Sequence, residues 1–178
     1  MNKPELRKMM LEKRTKLSAD EIKTASAAVT KNLFADIGFL RAVDVGFYYP
    51  LTGEIDTSEA MERAMLFGKR IYLPKIANDE MVFCAFKAGD ELVKNKRGFL
   101  EPAETDVGEP EIVIVPGVAF DLEKHRLGFG KGHFDKYLRG RDAVAIGICH
   151  EWQVVDKLPS EKHDVQMNKV IAGDWVLE

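Results

Sequence analysis

The chain has 178 residues, 46% hydrophobic and 31% charged, a balance that supports one ordinary globular domain spanning residues 1–178. Its 26 Lys and Arg against 29 Asp and Glu leave a formal charge of −3, which argues against a nucleic-acid or membrane-surface partner; any anionic ligand must be held by local groups. No apolar run approaches the roughly twenty residues of a membrane span, and the charged amino terminus lacks a signal-peptide core, so the expected location is cytoplasmic.

Pro4 followed by Leu6, Met9, Met10 and Leu17 at helical spacing predicts a first helix over 4–16. Lys3 and Arg7 share a face near its start, and spacing alone favours a solvated surface for both. Ser18 with Glu21 forms a capping box for a second helix over 20–35, with Ile22, Ala25, Val29 and Leu33 as its apolar stripe. The segment 43–49, rich in valine and aromatics and closed by Pro50, predicts a buried strand. The loop 50–55 then lies at a strand's carboxyl end, where open α/β sheets place ligands. Thr57 or Ser58 caps a helix ended by Gly68, with Asp56 as a further cap residue. Short strands are expected at 70–73, closed by Pro74, and at 81–86 after the Asn78-Asp79 turn. Residues 88–110 form a polar connection in which Phe99 suits either an aromatic ligand or a small local core. The run 112–115 is the most apolar and predicts the sheet centre, with further strands at 143–148 and 170–172. Cys84 and Cys149 stand alone inside apolar runs and are expected as buried thiols. Alternating helices and strands after Val43 predict a three-layer α/β/α domain with a largely parallel central sheet.

Chemistry concentrates in residues 126–135. Gly128, Gly130 and Gly132 alternate, so backbone N–H groups are uncovered and positive φ is permitted, which suits close approach of a polyanion. Arg126 and Lys131 add cations matched to phosphate oxygens, and Asp135 adds a carboxylate able to hold Mg²⁺ against them. A glycine-rich stretch is as readily a tight connection. It is not a Walker loop, because Gly132 rather than Ser or Thr follows Lys131, and the charged run 121–126 separates it from any strand that a dinucleotide fingerprint requires.

The wider pattern is VPGVAFD over 115–121 followed by RLGFGKGHFDKYL over 126–138. It resembles the signature of the 5-formyltetrahydrofolate cyclo-ligase family, and the Lys3/Arg7 spacing, the segment around Glu54 and His163-Asp164 resemble further landmarks of that family. The resemblance implies the three-layer fold shared with phosphosugar isomerases and CoA-transferases. It implies ATP-driven closure of 5-formyltetrahydrofolate to 5,10-methenyltetrahydrofolate, with Mg²⁺ as cofactor and ATP as co-substrate. Lys3, Arg7 and the segment Arg126, Leu127, Gly128, Phe129, Gly130, Lys131, Gly132, His133 and Phe134 are the implied ATP-binding residues, with Arg126 and Lys131 catalytic. Tyr49 and Glu54 are the implied folate contacts, and Asp135 and Asp164 the implied metal carboxylates. The folate is expected with or without a polyglutamate tail, and the protein as a monomer. Three departures from the family pattern stand out: His133-Phe134 replaces a tyrosine pair, Lys124 replaces a glycine, and the segment after Glu151 does not follow it. Such sheets also carry sugar-phosphate isomerases and acyl-CoA transferases, for which Glu54 is the candidate base or acyl acceptor, and a non-catalytic folate or nucleotide binder is a third reading.

Overall fold

The computed structural model describes residues 2–159 and 164–178. Asn2 and Glu5 cap one another reciprocally at the start of helix α1 (Lys3–Arg14), which stops short of the expected Lys16 as the last turn tightens and Lys16 N–H bonds the Lys13 carbonyl three residues back. Ser18 and Glu21 form the anticipated capping box of α2 (Ala19–Leu33). A short helix that the sequence pattern did not announce, α3 (Ile37–Arg41), starts where Asp36 accepts the Phe39 N–H at 2.7 Å. Strand β1 is only Asp44–Gly46, and α4 is Ser58–Leu66. Thr57 stands at the cap position of α4, but its hydroxyl donates to the Tyr48 carbonyl, and Asp56 accepts the Ser58 N–H instead.

The next strands are β2 (Arg70–Ala77) and β3 (Glu80–Phe86), joined by Asn78 and Asp79 at φ 50° and 62°, a hairpin turn with both central residues left-handed. Pro74 does not close β2 as expected. Pairing with β1 ends at Tyr72, so from Leu73 onward β2 is bonded on one side only and tolerates a residue without an N–H. The polar segment 88–110 is also more ordered than its composition implies. It holds β4 (Leu92–Lys94), β5 (Leu100–Pro102) and β6 (Val107–Gly108). Thereafter come β7 (Ile112–Pro116), β8 (Ala119–Asp121), β9 (Arg126–Leu127), α5 (His133–Leu138), β10 (Val144–Cys149), β11 (Val154–Val155), β12 (Lys169–Ala172) and β13 (Trp175–Leu177).

The main sheet runs β13-β12-β10-β7-β1-β2-β3-β6, with β12, β10, β7, β1 and β2 mutually parallel and antiparallel strands at both edges. Alternation along the central strands sends Ile112, Ile114, Ile146 and Ile148 to the face covered by α2, α3 and α4. Val113, Val115, Ala145 and Cys149 go to the opposite face with Tyr137 and Leu138 of α5. Both faces are therefore dry, which is the three-layer arrangement expected from apolar, non-alternating strands. Cys84 and Cys149 are buried free thiols, and burial pushes both thiols up.

Helix α1 does not join either layer. Leu6 and Met10 pack on Val118, Ala119 and Leu127, and so onto a separate three-stranded sheet of order β11-β8-β9. That sheet leads directly into the glycine stretch, and α1 is thereby fixed beside it.

Candidate active site

Arg126 ends up buried with 7% of its surface exposed. Its Nη2 donates to Asp135 Oδ2 at 2.7 Å and its Nη1 to the Pro116 carbonyl at 3.2 Å, while Nε has no acceptor among the described residues. Burial lowers the guanidinium pKa, against which Asp135 and Asp164 raise it, so the group remains a cation. Gly128 follows close behind: a Cβ there would lie 2.6 Å from Arg126 Nη1, so a side chain would displace the guanidinium. Gly130 and Gly132 have φ of 97° and 66°, the conformation their spacing anticipates. Leu127 is buried beneath α1, and its side chain belongs to the packing there. Lys131 is exposed at the rim, and α5 starts directly after Gly132 without a side-chain cap.

From the other side α1 delivers its cations. Arg7 Nε donates to the Gly128 carbonyl at 2.8 Å, and Lys3 Nζ meets Asp164 Oδ2 at 2.8 Å. The face that spacing alone would leave solvated is thus half-buried against the glycine loop and Asp164. Arg14, lower on the same helix and not singled out from the sequence, is buried and donates to Glu54 Oε1 at 3.1 Å. The recurrence Lys3, Arg7, Arg14 at near-helical spacing was the available signal.

Glu54 is not a solvated loop acid. It is 6% exposed; Oε2 accepts the Leu51 N–H at 2.9 Å, and burial raises its pKa against the lowering effect of that N–H and of Arg14. Glu54 and Tyr49 border a cavity of about 450 Å³ that continues to Arg126, Phe129 and His133. The tip of the β4–β5 hairpin closes another side with Asn95, Arg97 and Phe99. That hairpin is anchored to β2: Lys75 Nζ donates to the Pro102 and Ala103 carbonyls, and buried Glu101 accepts from Ile76 N–H and Asn95 Nδ2. Arg97 Nη1 then reaches His133 Nε2 at 2.6 Å. One mostly apolar cavity therefore opens at one end on a cation-lined glycine loop, a shape suited to a flat aromatic ligand placed against a polyphosphate.

The sequence model of 5-formyltetrahydrofolate cyclo-ligases matches residues 1–173. The chain belongs to this family. It is 26% identical over 171 residues to the 5-formyltetrahydrofolate cyclo-ligase of Haemophilus influenzae, covering 90% of this chain and 91% of that one. With the Escherichia coli K12 enzyme of the same name the identity is 32% over 146 residues, 75% and 80% of the two chains. The 5,10-methenyltetrahydrofolate synthetase of Aquifex aeolicus superposes with a TM-score of 0.89 at 33% identity, covering 99% and 92%. The Mycoplasma pneumoniae synthetase gives 0.78 at 27% identity, covering 98% and 100%.

In this cyclo-ligase family chain Lys124, His133 and Phe134 each have a local partner. Lys124 adopts φ 66°, the left-handed conformation for which a glycine would be the natural choice, and the turn is held by its N–H to the Asp121 carbonyl at 2.9 Å. Where the family pattern has a tyrosine, His133 Nε2 meets Arg97 Nη1 and accepts from it, because a guanidinium can only donate; burial followed by the charges of Arg97, Lys136 and Lys131 lowers the His133 pKa. Phe134 packs edge-on to Phe83 and lies under the Arg126 guanidinium at 5.6 Å. Asp135 and Asp164 both lie near Arg126, but each already holds a cation. Either carboxylate could take part in holding Mg²⁺ only together with substrate phosphates and water, since Asp135 is paired with Arg126 and Asp164 with Lys3. The side-chain cluster Asp121, Glu123 and His125 lies elsewhere, and its buried Asp121 is spent on the N–H groups of Glu123, His125 and Leu158. His163 lies outside the described residues.

Proposed function

We propose that this chain, acting as one domain, uses ATP to close 5-formyltetrahydrofolate to 5,10-methenyltetrahydrofolate, releasing ADP and phosphate. The observation that carries the reading is the continuity of the Tyr49/Glu54 cavity with a glycine loop flanked by Arg126, Lys131, Lys3 and Arg7. Hydroxide is a poor leaving group, so N10 cannot simply expel the formyl oxygen. Transfer of the γ-phosphoryl to that oxygen releases ADP and creates a leaving group; N10 then attacks the activated carbon, phosphate departs and the N10 proton is lost. No side-chain nucleophile is needed. The protein's work is positioning and charge neutralisation.

In this scheme Gly128, Gly130 and Gly132 bring backbone N–H groups to the phosphates, while Arg126 and Lys131 meet the charge on the transferred group. Lys3 and Arg7 hold the remaining phosphates, Glu54 accepts from the pterin's N–H groups, and Tyr49 packs on the ring. Phe129, His133 and Phe134 line the junction of the two substrates. Asp135 and Asp164 would hold Mg²⁺, which supplies charge neutralisation at the phosphates. An isomerase or transferase reading needs Glu54 as a free base, and its pairing with Arg14 in a dry setting disfavours that role. The tail's polyglutamate length, a monomeric state and a cytoplasmic location belong to the proposal as well.

The test is near-UV absorbance of the methenyl product with protein, 5-formyltetrahydrofolate and Mg²⁺, with and without ATP. Absorbance growth that requires ATP is expected; product without ATP, or none with it, refutes the reading. Lys131→Ala is expected to lower kcat by about 10²-fold or more with folate KM little changed.

A further inference from the structure

Arg14 takes no part in the chemistry just described, yet its guanidinium sits where the two halves of the site meet. Nη1 donates to Glu54 Oε1 at 3.1 Å, with the two side chains 10% and 5% exposed, and Cζ lies 5.2 Å from the centre of the Phe129 ring. The backbone of the Glu54 loop is pressed onto the same residue. Gly53 has φ 78°, and a Cβ there would lie 2.7 Å from Arg14 Cγ and 2.9 Å from the Arg14 carbonyl oxygen. His150 Nε2 holds the Gly53 carbonyl at 3.0 Å from beyond. The Glu54 loop is therefore packed closely against Arg14. Arg14 in turn moves with α1, whose Lys3 and Arg7 face the phosphate end.

We propose that Arg14 is a positioning residue that makes the folate and nucleotide sites cooperative, fixing Glu54 in the folate pocket and Phe129 of the glycine loop against the same guanidinium. The inference rests on the ATP and folate reading given above. Ordering either end through this shared side chain lowers the ordering cost left for the other ligand, which is a coupling free energy and must be reciprocal. Arg14 also supplies the counter-charge of a carboxylate that burial pushes toward protonation. Without it the shift toward the protonated form is larger, which reduces the acceptor capacity of Glu54 toward ligand N–H groups.

The experiment measures equilibrium binding of 5-formyltetrahydrofolate and of a non-hydrolysable ATP analogue with Mg²⁺, each alone and with the other present. It compares the intact wild-type chain with Arg14→Met, Arg14→Lys and Phe129→Leu. In wild type each ligand is expected to tighten the other about 5-fold or more. Arg14→Met is expected to weaken folate about 10-fold, leave the analogue alone within about 2-fold, and abolish the coupling, with part of the folate affinity restored in Arg14→Lys. Phe129→Leu is expected to lose the coupling whatever it does to either ligand alone, and it decides the matter should Arg14→Met not fold. Independent binding in wild type, coupling that survives either Arg14→Met or Phe129→Leu, or equal weakening of both ligands by Arg14→Met overturns the inference. Wild-type protein that binds neither ligand removes the functional proposal as well; wild-type protein that forms product without coupling removes this inference alone.

Discussion

Asp135→Ala tests the reading of Arg126 as a buried cation held by a single carboxylate. The pair is 2.7 Å apart, with side-chain exposures of 4% and 14%. Removing Asp135 leaves the guanidinium with the 3.2 Å bond to the Pro116 carbonyl and an unpartnered Nε among the described residues. Breaking a buried pair in this way costs about 3–5 kcal/mol, because the remaining charge is neither solvated nor compensated. Asp164 also acts on Arg126, which places the cost toward the lower end, about 3 kcal/mol. At about 2–4 °C per kcal/mol for a chain of this size, the Tm should fall by about 6–12 °C in a ligand-free calorimetric melt. The double variant Arg126→Met/Asp135→Leu removes both charges and should regain most of the loss while remaining inactive. A single variant melting within about 2 °C of wild type, or a double variant less stable than the single one, refutes the argument.

Lys69 is buried and its Nζ donates to the Phe39, Leu40 and Ala42 carbonyls at 2.7, 3.0 and 2.5 Å, so it closes the end of α3. Lys69→Met should cost about 2 kcal/mol in urea unfolding without changing turnover. Lys124→Gly relieves a left-handed backbone and should stabilise by about 0.5–1 kcal/mol; an unchanged or lower urea midpoint would show that the turn carries no such strain. For His133, burial, then Arg97, Lys136 and Lys131, depress the pKa below the usual 6.5, with Asp79 opposing. The folded chain thus binds fewer protons there than the unfolded one, and the neutral-ring contribution is present above the usual pKa and lost as pH falls through the depressed value. Folate KM should rise on acidification below the usual imidazole pKa and should do so less in His133→Gln; identical profiles would exclude the Arg97 contact as the cause.

The parts of the fold that announced themselves were those whose cause is local. Ser18 and Glu21 specify a helix start by two reciprocal bonds, and the uninterrupted apolar run of β7 specifies a strand dry on both faces. The parts that did not are held by groups far away in sequence. Strand β11 exists by pairing with β8, and the β4–β5 hairpin stands on Lys75 and Glu101, so composition around residues 88–110 indicated only polarity. The same division runs through the site. The left-handed conformations of Gly130 and Gly132 were legible, because backbone freedom is a property of a short segment, whereas spacing alone left Lys3 and Arg7 on a solvated face. The commitments of Asp135 to Arg126 and of Glu54 to Arg14 were not, since each needs two elements brought together by packing. Arg14 looked like one more charge at a helix end, and only burial beside Gly53 sets it apart.

Docking α1 on the small sheet has a consequence for how the protein is made. Leu6 and Met10 leave the ribosome early, whereas Val118, Ala119, Leu127 and Leu158, which cover them, emerge much later. A helix of 12 residues is marginal by itself in water, so this segment has little reason to hold its shape during most of synthesis. Its cations meet Gly128 across 121 positions and Asp164 across 161. Helix α1 is thus made well before the surface that covers it, and its apolar stripe stays uncovered until that sheet has been synthesised.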